Sequence, residues 1–424
     1  MKTLRTLALL MLLSLLSANV WSEEMKLPAE ELTRLVDTAL TNNPELKSSQ
    51  ARWKMFASKA KQASSLEDPM LMFKLQNMMV REPFVFNKDP QSAKVIGISQ
   101  QLPFWGKRAI KQEVANLEAE SYKWIIEERK LELVRMVKEA YYQIWAVDKS
   151  LEIIDKNLRI MEDFVTIAES KYSVGQGVQQ DIYKAGLEKS KMLDMQITLR
   201  QQRKSLEATL NYLLYRPGNT PVGKIADFIL PQVSLSAEQL NETALEKRPQ
   251  IKSLASLTSK GQAAHRLAQK EFYPDFNLSA EYMFREASMG DPGDDMFTVG
   301  VTFNLPFQRE RRQAMLAEST SETSMATEEL NGLKNTIAFT VNDTLAQMDR
   351  RRKLVELYRG GIIPQAEQSL ESAVISYRVN KVDFLSLLDG RLNLFNYERE
   401  LYESQAEYMM KLAQLEAAVG MELQ

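Results

Sequence analysis

The sequence has no cysteine and one histidine, His265, in 424 residues. Without thiols there is no disulfide framework, no thiolate metal site and no cysteine nucleophile. A lone imidazole builds no histidine cluster for a metal. Neither sign of charge is in excess: 54 Lys and Arg stand against 56 Asp and Glu, a net of −2. No clustered basic face is visible, so nucleic acid is not an expected partner. Nothing resembles a glycine-rich phosphate loop with its lysine, a paired metal motif or a nucleophile with its base. The expectation is a non-enzyme with no cofactor. Beyond the N-terminus no stretch approaches the ~18 apolar residues of a membrane-spanning helix. That leaves membrane strands open, because they hide in alternating patterns.

What is present begins at the N-terminus. Lys2 and Arg5 precede an almost unbroken apolar run from Leu7 to Leu16, then small residues, with Val20 and Ser22 placed for cleavage before Glu23. This is the pattern of a secretory signal peptide, 1–22. Read instead as an anchor, the run is too short to cross ~30 Å of hydrocarbon as a helix. A lipid-modified cysteine is excluded.

The chain repeats itself. Leu27-Pro28-Ala29-Glu30-Glu31-Leu32 resembles Leu235-Ser236-Ala237-Glu238-Gln239-Leu240. Thr38-Ala39-Leu40 with Pro44 matches Thr243-Ala244-Leu245 with Pro249. Gly97 and Leu102-Pro103-Phe104 match Gly300 and Leu305-Pro306-Phe307. Tyr172 and Val174 match Tyr377 and Val379, and Leu206-Glu207-Ala208 matches Leu415-Glu416-Ala417. The shared order and near-constant offset indicate a duplication. The expected organisation is a signal peptide (1–22), a first repeat (23–215), a linker rich in Pro and Gly (216–234) and a second repeat (235–424).

Each repeat follows one grammar: a helix (29–66 and 236–270), a β-hairpin, a very long helix, a turn and a second long helix. In the second hairpin, Phe276, Leu278, Ala280, Tyr282 and Phe284 alternate with polar residues, and so do Phe297, Val299, Val301, Phe303 and Leu305. Period two with one apolar face is the strand signal. Gly290 to Asp295 reads as the connecting loop. Weaker strands fall at 69–79 and 93–102. Runs of ~10 residues suit a tilted membrane strand, whereas soluble strands usually have about five or six. Periodicity alone leaves a lipid-facing sheet and a small soluble sheet both open. From Ala109 to Val174 there is neither Gly nor Pro, room for ~100 Å of helix. Ile144, Val147, Leu151, Ile154, Leu158, Met161, Val165, Ala168 and Tyr172 recur at alternating spacings of three and four, the coiled-coil rhythm. Leu385, Leu388, Leu392, Phe395, Tyr402, Ala406 and Met409 repeat it. The fold class is therefore mainly α, a long coiled-coil helical tube with two β-hairpins per chain.

Four strands cannot close a membrane barrel, since known barrels need at least about eight. Open sheet edges are not tolerated in lipid. If the hairpins are membrane strands, several chains must pool them. Three copies would supply twelve, although sequence alone does not set that number.

Gln100-Gln101-Leu102-Pro103-Phe104-Trp105-Gly106-Lys107-Arg108, at the strand-to-helix junction, resembles the junction of the TolC-type outer-membrane efflux family, most of all its heavy-metal and cation efflux branch. Pro364-Gln365-Ala366-Glu367, Tyr377 and Val382-Asp383-Phe384-Leu385 are also similar to that family. The resemblance implies an outer-membrane homotrimer with a twelve-stranded barrel in lipid and a helical tunnel in the periplasm. It implies a periplasmic membrane-fusion adaptor and an inner-membrane pump of the resistance-nodulation-division type as partners. It also implies passive conduction of metal cations or small toxic compounds.

In this frame the helical turns lie at the periplasmic tip. Asp181 and Asp389 are the pore and gate candidates, because acidic rings attract cations. Ser386 and Val382 depart from the family's charged pattern. Asp181 also suits a helix N-terminus on its own account, and Asp389 suits a solvated surface. Gly175, Gly177, Asn380 and Lys381 are the candidate adaptor contacts. Met70, Met72, Met78 and Met79 gather in the first hairpin. Thioethers suit soft cations, but methionine is also a common filler, and strand period puts Met79 on the face opposite the others, so no metal site is expected. Two other readings remain: a periplasmic coiled-coil scaffold or adaptor, and a channel for protein secretion.

Overall fold

The computed structural model describes residues 31–423; the leader expected at 1–22 lies outside them. In chain order the elements are α1 (Leu32–Asn42), α2 (Pro44–Ala63), β1 (Met70–Gln76), β2 (Ala93–Leu102), α3 (Lys107–Ser173) and α4 (Gln179–Leu213). They continue with α5 (Ala237–Lys247), α6 (Pro249–Lys270), β3 (Phe276–Arg285), β4 (Met296–Phe303), α7 (Arg309–Leu357), a π-helical turn (Tyr358–Ile362), α8 (Ile363–Arg378) and α9 (Phe384–Val419). The chain divides into two compact units. One contains 31–41, Val137–Leu230 and Arg351–Met409, the other 42–136, Pro231–Arg350 and 410–423.

The single helices expected at 29–66 and 236–270 are each broken in two. Pro44 and Pro249 cause both breaks, each standing at the first position of a new helix. Proline has no amide to continue the preceding ladder and biases the residue before it away from helix. Asn43 adds a cap, its Oδ1 accepting from the amides of Glu45 at 2.9 Å and Leu46 at 3.2 Å.

In the first unit, α3, α4, α8 and α9 pack around one core. Val147, Ile154, Met161 and Ala168 are buried at seven-residue intervals, and Ala185, Met192 and Leu199 answer them from α4 at the same interval. A strict seven-residue repeat keeps a seam facing its neighbour when helices supercoil. The intervening Leu151, Leu158 and Val165 are only half-buried. Tyr172, expected in the seam, is exposed, and on α9 it is Phe384, not Leu385, that points inward. The segment expected to be a linker is pinned to this unit. Val222 and Ile225 are buried, the Val222 amide donates to Glu207 at 3.3 Å, and Phe228 packs on Trp145 at 4.4 Å.

In the second unit the strands form one antiparallel sheet, β1-β2-β3-β4. β1 and β4 are its edges. β1 stops at Gln76 rather than 79, because Asn77 turns to φ +52° and donates to the Gln91 carbonyl. Met78 and Met79 are therefore not strand residues, and the face assigned to Met79 does not apply. β4 stops at Phe303, short of Leu305. The Asn304 side chain instead accepts from the Asp275 amide at 2.8 Å. Among the described residues no helix is long and apolar enough to cross a membrane.

Candidate functional site

Strand register decides what the sheet shows to its surroundings. Phe73 pairs with Ile96, Ile96 with Tyr282 and Tyr282 with Phe297; Leu71, Ile98, Ala280 and Val299 form the next row on that face. The other face carries Met72, Gly97, Glu281 and Thr298 in one row and Met70, Ser99, Ser279 and Gly300 in another. The apolar face is the exposed one: Phe73 is 71% and Val299 66% accessible. On β2, Val95 and Gly97 are buried while Ile96 and Ile98 are exposed. Water would drive the reverse arrangement. The polar face is closely furnished. A Cβ on Gly97 would meet Met72 Cε at 3.0 Å and Glu281 Cγ at 3.1 Å, and Lys74 pairs with Glu281 at 3.4 Å.

The strand-to-helix junction is built from the motif at 100–108. Lys107 ends β2's connection and opens α3, and its side chain is 2% exposed. Its Nζ donates to Asp275 Oδ1 at 2.8 Å, the Tyr273 carbonyl at 3.2 Å and Glu271 Oε2 at 3.4 Å. Asp275 also accepts from the Phe104 amide at 2.8 Å, and Phe104 stacks on Tyr273 at 4.6 Å. Burial works to raise the Asp275 carboxyl. The bonds from Lys107 and Phe104 outweigh it and hold the group below the usual carboxylate range. The junction thus ties the β2–α3 connection to the α6–β3 connection.

The two helical turns share one geometry. After Tyr172 the chain reverses with Gly175 at φ +74°. The Gly175 amide donates to the Tyr172 carbonyl at 3.0 Å and Gln176 to Lys171 at 2.8 Å. After Tyr377 it reverses with Asn380 at φ +58°, Asn380 donating to Tyr377 at 3.2 Å and Lys381 to Ser376 at 2.9 Å. Both are Schellman turns, whose left-handed residue is most often Gly and sometimes Asn. Lys171 joins them: its Nζ donates to the Tyr377 carbonyl at 2.7 Å and to the Asn380 side chain, and lies 4.1 Å from the Tyr377 ring centre.

Of the residues singled out from sequence, Gly175, Asn380 and Lys381 are exposed on these turns and Gly177 is half-buried. Asp181 is half-buried in the first turn of α4. Burial and the Asp181 charge raise the Tyr377 phenol. Asp389 is exposed on α9. No ion pair joins Asp181 or Asp389 to a partner among the described residues. Asp383 caps α9, accepting from the Ser386 amide at 2.9 Å, and its bonds to Ser386 hold it below its usual range. Sequence reasoning missed Lys171, which reads as one more surface lysine. It also missed Arg391, which is 5% exposed, with Nε and Nη2 unbonded among the described residues. Burial depresses this guanidinium against the attraction of Glu398 and Glu367. The spacing of Leu387, Leu388, Leu394 and Phe395 puts position 391 on the buried side of α9, a signal the sequence did contain.

No group of three or more His, Asp or Glu side chains among the described residues is arranged to hold a metal. Among the described residues the sheet turns its apolar side outward and leaves both edges unpaired, and it runs on into long paired helices, an arrangement of the strand-and-helix membrane type. Residues 35–214 and 240–421 each match the family described as outer membrane efflux protein, and the chain belongs to that family. BepC of Brucella suis, an outer membrane efflux protein, is 23% identical over 291 residues, spanning 66% of this chain but only 61% of that one. CzcC of Cupriavidus metallidurans, a cobalt-zinc-cadmium resistance protein, is 26% identical over 164 residues, 38% of each chain. The crystal structure of the outer membrane protein VceC from Vibrio cholerae has the same fold, with a TM-score of 0.78 at 19% identity over 93% of this chain and 97% of that one.

Proposed function

We propose that this chain is one subunit of a homotrimeric outer-membrane duct. In this reading, three sheets pool their strands into a twelve-stranded barrel, and the paired helices form the periplasmic conduit. The observation that carries it is the exposed apolar face on a sheet with two unpaired edges. Each unsatisfied backbone group costs several kcal/mol in lipid, and pooling removes the edges. The two matching halves act as repeats, 23–215 and 235–424. A periplasmic adaptor docks on the turns through Gly175, Gly177, Asn380 and Lys381, and an inner-membrane pump of the resistance-nodulation-division type drives the flux. The cargo is metal cations or small toxic compounds; the resistance named for CzcC supports the cation reading.

The native mass of protein extracted from isolated outer membranes in mild detergent tests the assembly. A heat-labile trimer is expected. A monomer or dimer released into aqueous buffer with the periplasm would replace the duct with a scaffold.

Asp181 and Asp389 line the conduit's narrow end. Asp389 is exposed and, among the described residues, without an ion-pair partner, so its charge remains available to a passing ion. In planar bilayers Asp389→Asn is expected to lower the cation preference of the conductance, measured as a reversal potential in a salt gradient. An unchanged reversal potential would remove Asp389 from the pore.

A further inference from the structure

A cavity of about 390 Å³ opens at the junction, lined by Leu66, Leu102, Pro103, Trp105, Arg108 and Phe276, with Leu278 and Val301 behind them. Leu278 and Val301 are cross-strand partners on the exposed apolar face, so the cavity continues the surface read above as lipid-facing. Its position is the end of the sheet where β2 gives way to α3. Trp105 stands beside it, 75% exposed, with its ring 5.3 Å from Phe276. Indole rings favour this level of a bilayer, where hydrocarbon meets headgroup.

Arg108 supplies the charge. Its Nε donates to the Ser64 carbonyl at 3.0 Å, and Nη2 donates to the same oxygen. That carbonyl follows the last turn of α2 and fixes the direction of the guanidinium. Among the described residues no carboxylate pairs with Arg108. A cation held in place at the rim of an apolar groove, without an acid of its own, matches one ligand chemistry: a phosphate diester carrying an acyl chain.

We propose that this junction is a binding site for an anionic phospholipid of the leaflet facing the periplasm, one per chain. The acyl chain lies among Leu66, Leu102, Phe276 and Leu278, and the phosphate meets Arg108 beside Trp105. A chain that moves from bilayer to groove exchanges one apolar setting for another, so selectivity comes from the headgroup. Basic pockets at membrane level recognise anionic lipid heads in this way. The bound lipid would fill the notch between sheet and helix that the protein's own side chains leave open. The proposal rests on the lipid-facing reading of the sheet.

The test is native mass spectrometry of the full protein, purified from outer membranes, stripped in detergent and supplied with 1-palmitoyl-2-oleoyl phosphatidylglycerol or the matching phosphatidylethanolamine. Wild type is expected to retain phosphatidylglycerol preferentially. Arg108→Gln should weaken its retention by about tenfold, the loss of one charge-assisted bond, and weaken retention of phosphatidylethanolamine, whose ammonium offsets its phosphate charge, by less. Leu66→Trp, which fills the groove without touching the charge, should reduce retention of both. Equal retention of the two lipids by wild type, or retention unaffected by either substitution, overturns the site while the heat-labile trimer still supports the barrel. A protein recovered from the periplasm in aqueous buffer overturns both together.

Discussion

Val299→Arg is expected to abolish assembly in the outer membrane, while Thr298→Arg, one residue away on β4, leaves it intact. The two positions differ only in face. Val299 sits across from Ala280 on the apolar side and Thr298 across from Glu281 on the polar side. A lipid-facing arginine near the bilayer midplane costs ~2–4 kcal/mol in a membrane barrel, and substitutions on the inner face are tolerated. In a water-exposed sheet the same Val299→Arg change would fall within about ±0.5 kcal/mol, since Val299 is already accessible. The ratio of heat-labile oligomer to total chain in the outer-membrane fraction distinguishes the two. Equal ratios for both variants would mean that the exposed apolar face does not meet lipid.

Lys107→Met carries the second large effect, on the junction. Removing one partner of a buried pair leaves the other uncompensated, which costs several kcal/mol. Here the cost is about 3 kcal/mol, at the low end of that range, because Asp275 keeps 21% of its side chain exposed. Asp275→Asn in the same chain should recover most of the loss. The pH dependence separates this cause from lost packing. In the wild type the Asp275 carboxyl is depressed. Its contribution is therefore present above the unfolded value, ~3.9, and lost as pH falls through the lower folded value. In Lys107→Met, burial acts on Asp275 without the lysine to offset it, so protonation relieves the site. The variant's deficit should narrow as pH falls from 7 towards ~4. The dissociation temperature of the detergent-extracted oligomer across that range measures it. A deficit independent of pH would mean that Lys107 acts through packing alone.

Much of this arrangement was legible in the sequence, because the signals were periodic and local. The alternation at 276–285 fixes which residues share a face, and the gap-free run to Val174 yields α3, Lys107–Ser173, almost to the residue. The breaks at Pro44 and Pro249 were equally local and were passed over only because the flanking helical pattern continues through them. What the alternation does not contain is which face is covered. A soluble sheet and a membrane sheet share period two, and only the observed burial, with Val95 covered and Ile96 exposed, separates them. Contacts between residues far apart in the chain were illegible for the same reason. Lys171 reaches Asn380 across 209 positions, and Lys107 reaches Asp275 across 168; no local pattern marks Lys171, and the junction motif that contains Lys107 does not name its partner. The packed segment around Val222 was hidden by its composition, since Pro and Gly signal a loop whether or not the loop is buried.

The π-helical turn at Tyr358–Ile362 has a consequence for what insertions and deletions do to this protein. A π turn takes up one more residue than an α turn for the same advance around the axis. It works as a phase correction in a screw thread. Each residue of an α-helix advances the thread by ~100°. Deleting one residue between Tyr358 and Ile362 would let the helix run on as a regular α-helix. Side chains downstream would keep their present direction relative to Arg351–Leu357, because the α turn makes the same advance with one residue fewer, whereas a deletion in the regular helix on either side would rotate them by ~100°. Only a deletion outside the π turn would take Tyr377 away from both the ring of Phe384, now 5.7 Å away, and the ammonium of Lys171. The turn, which contains Gly360 and Gly361, thus carries a one-residue allowance that spares the second tip from a single deletion there, nearly 20 positions before the tip is reached.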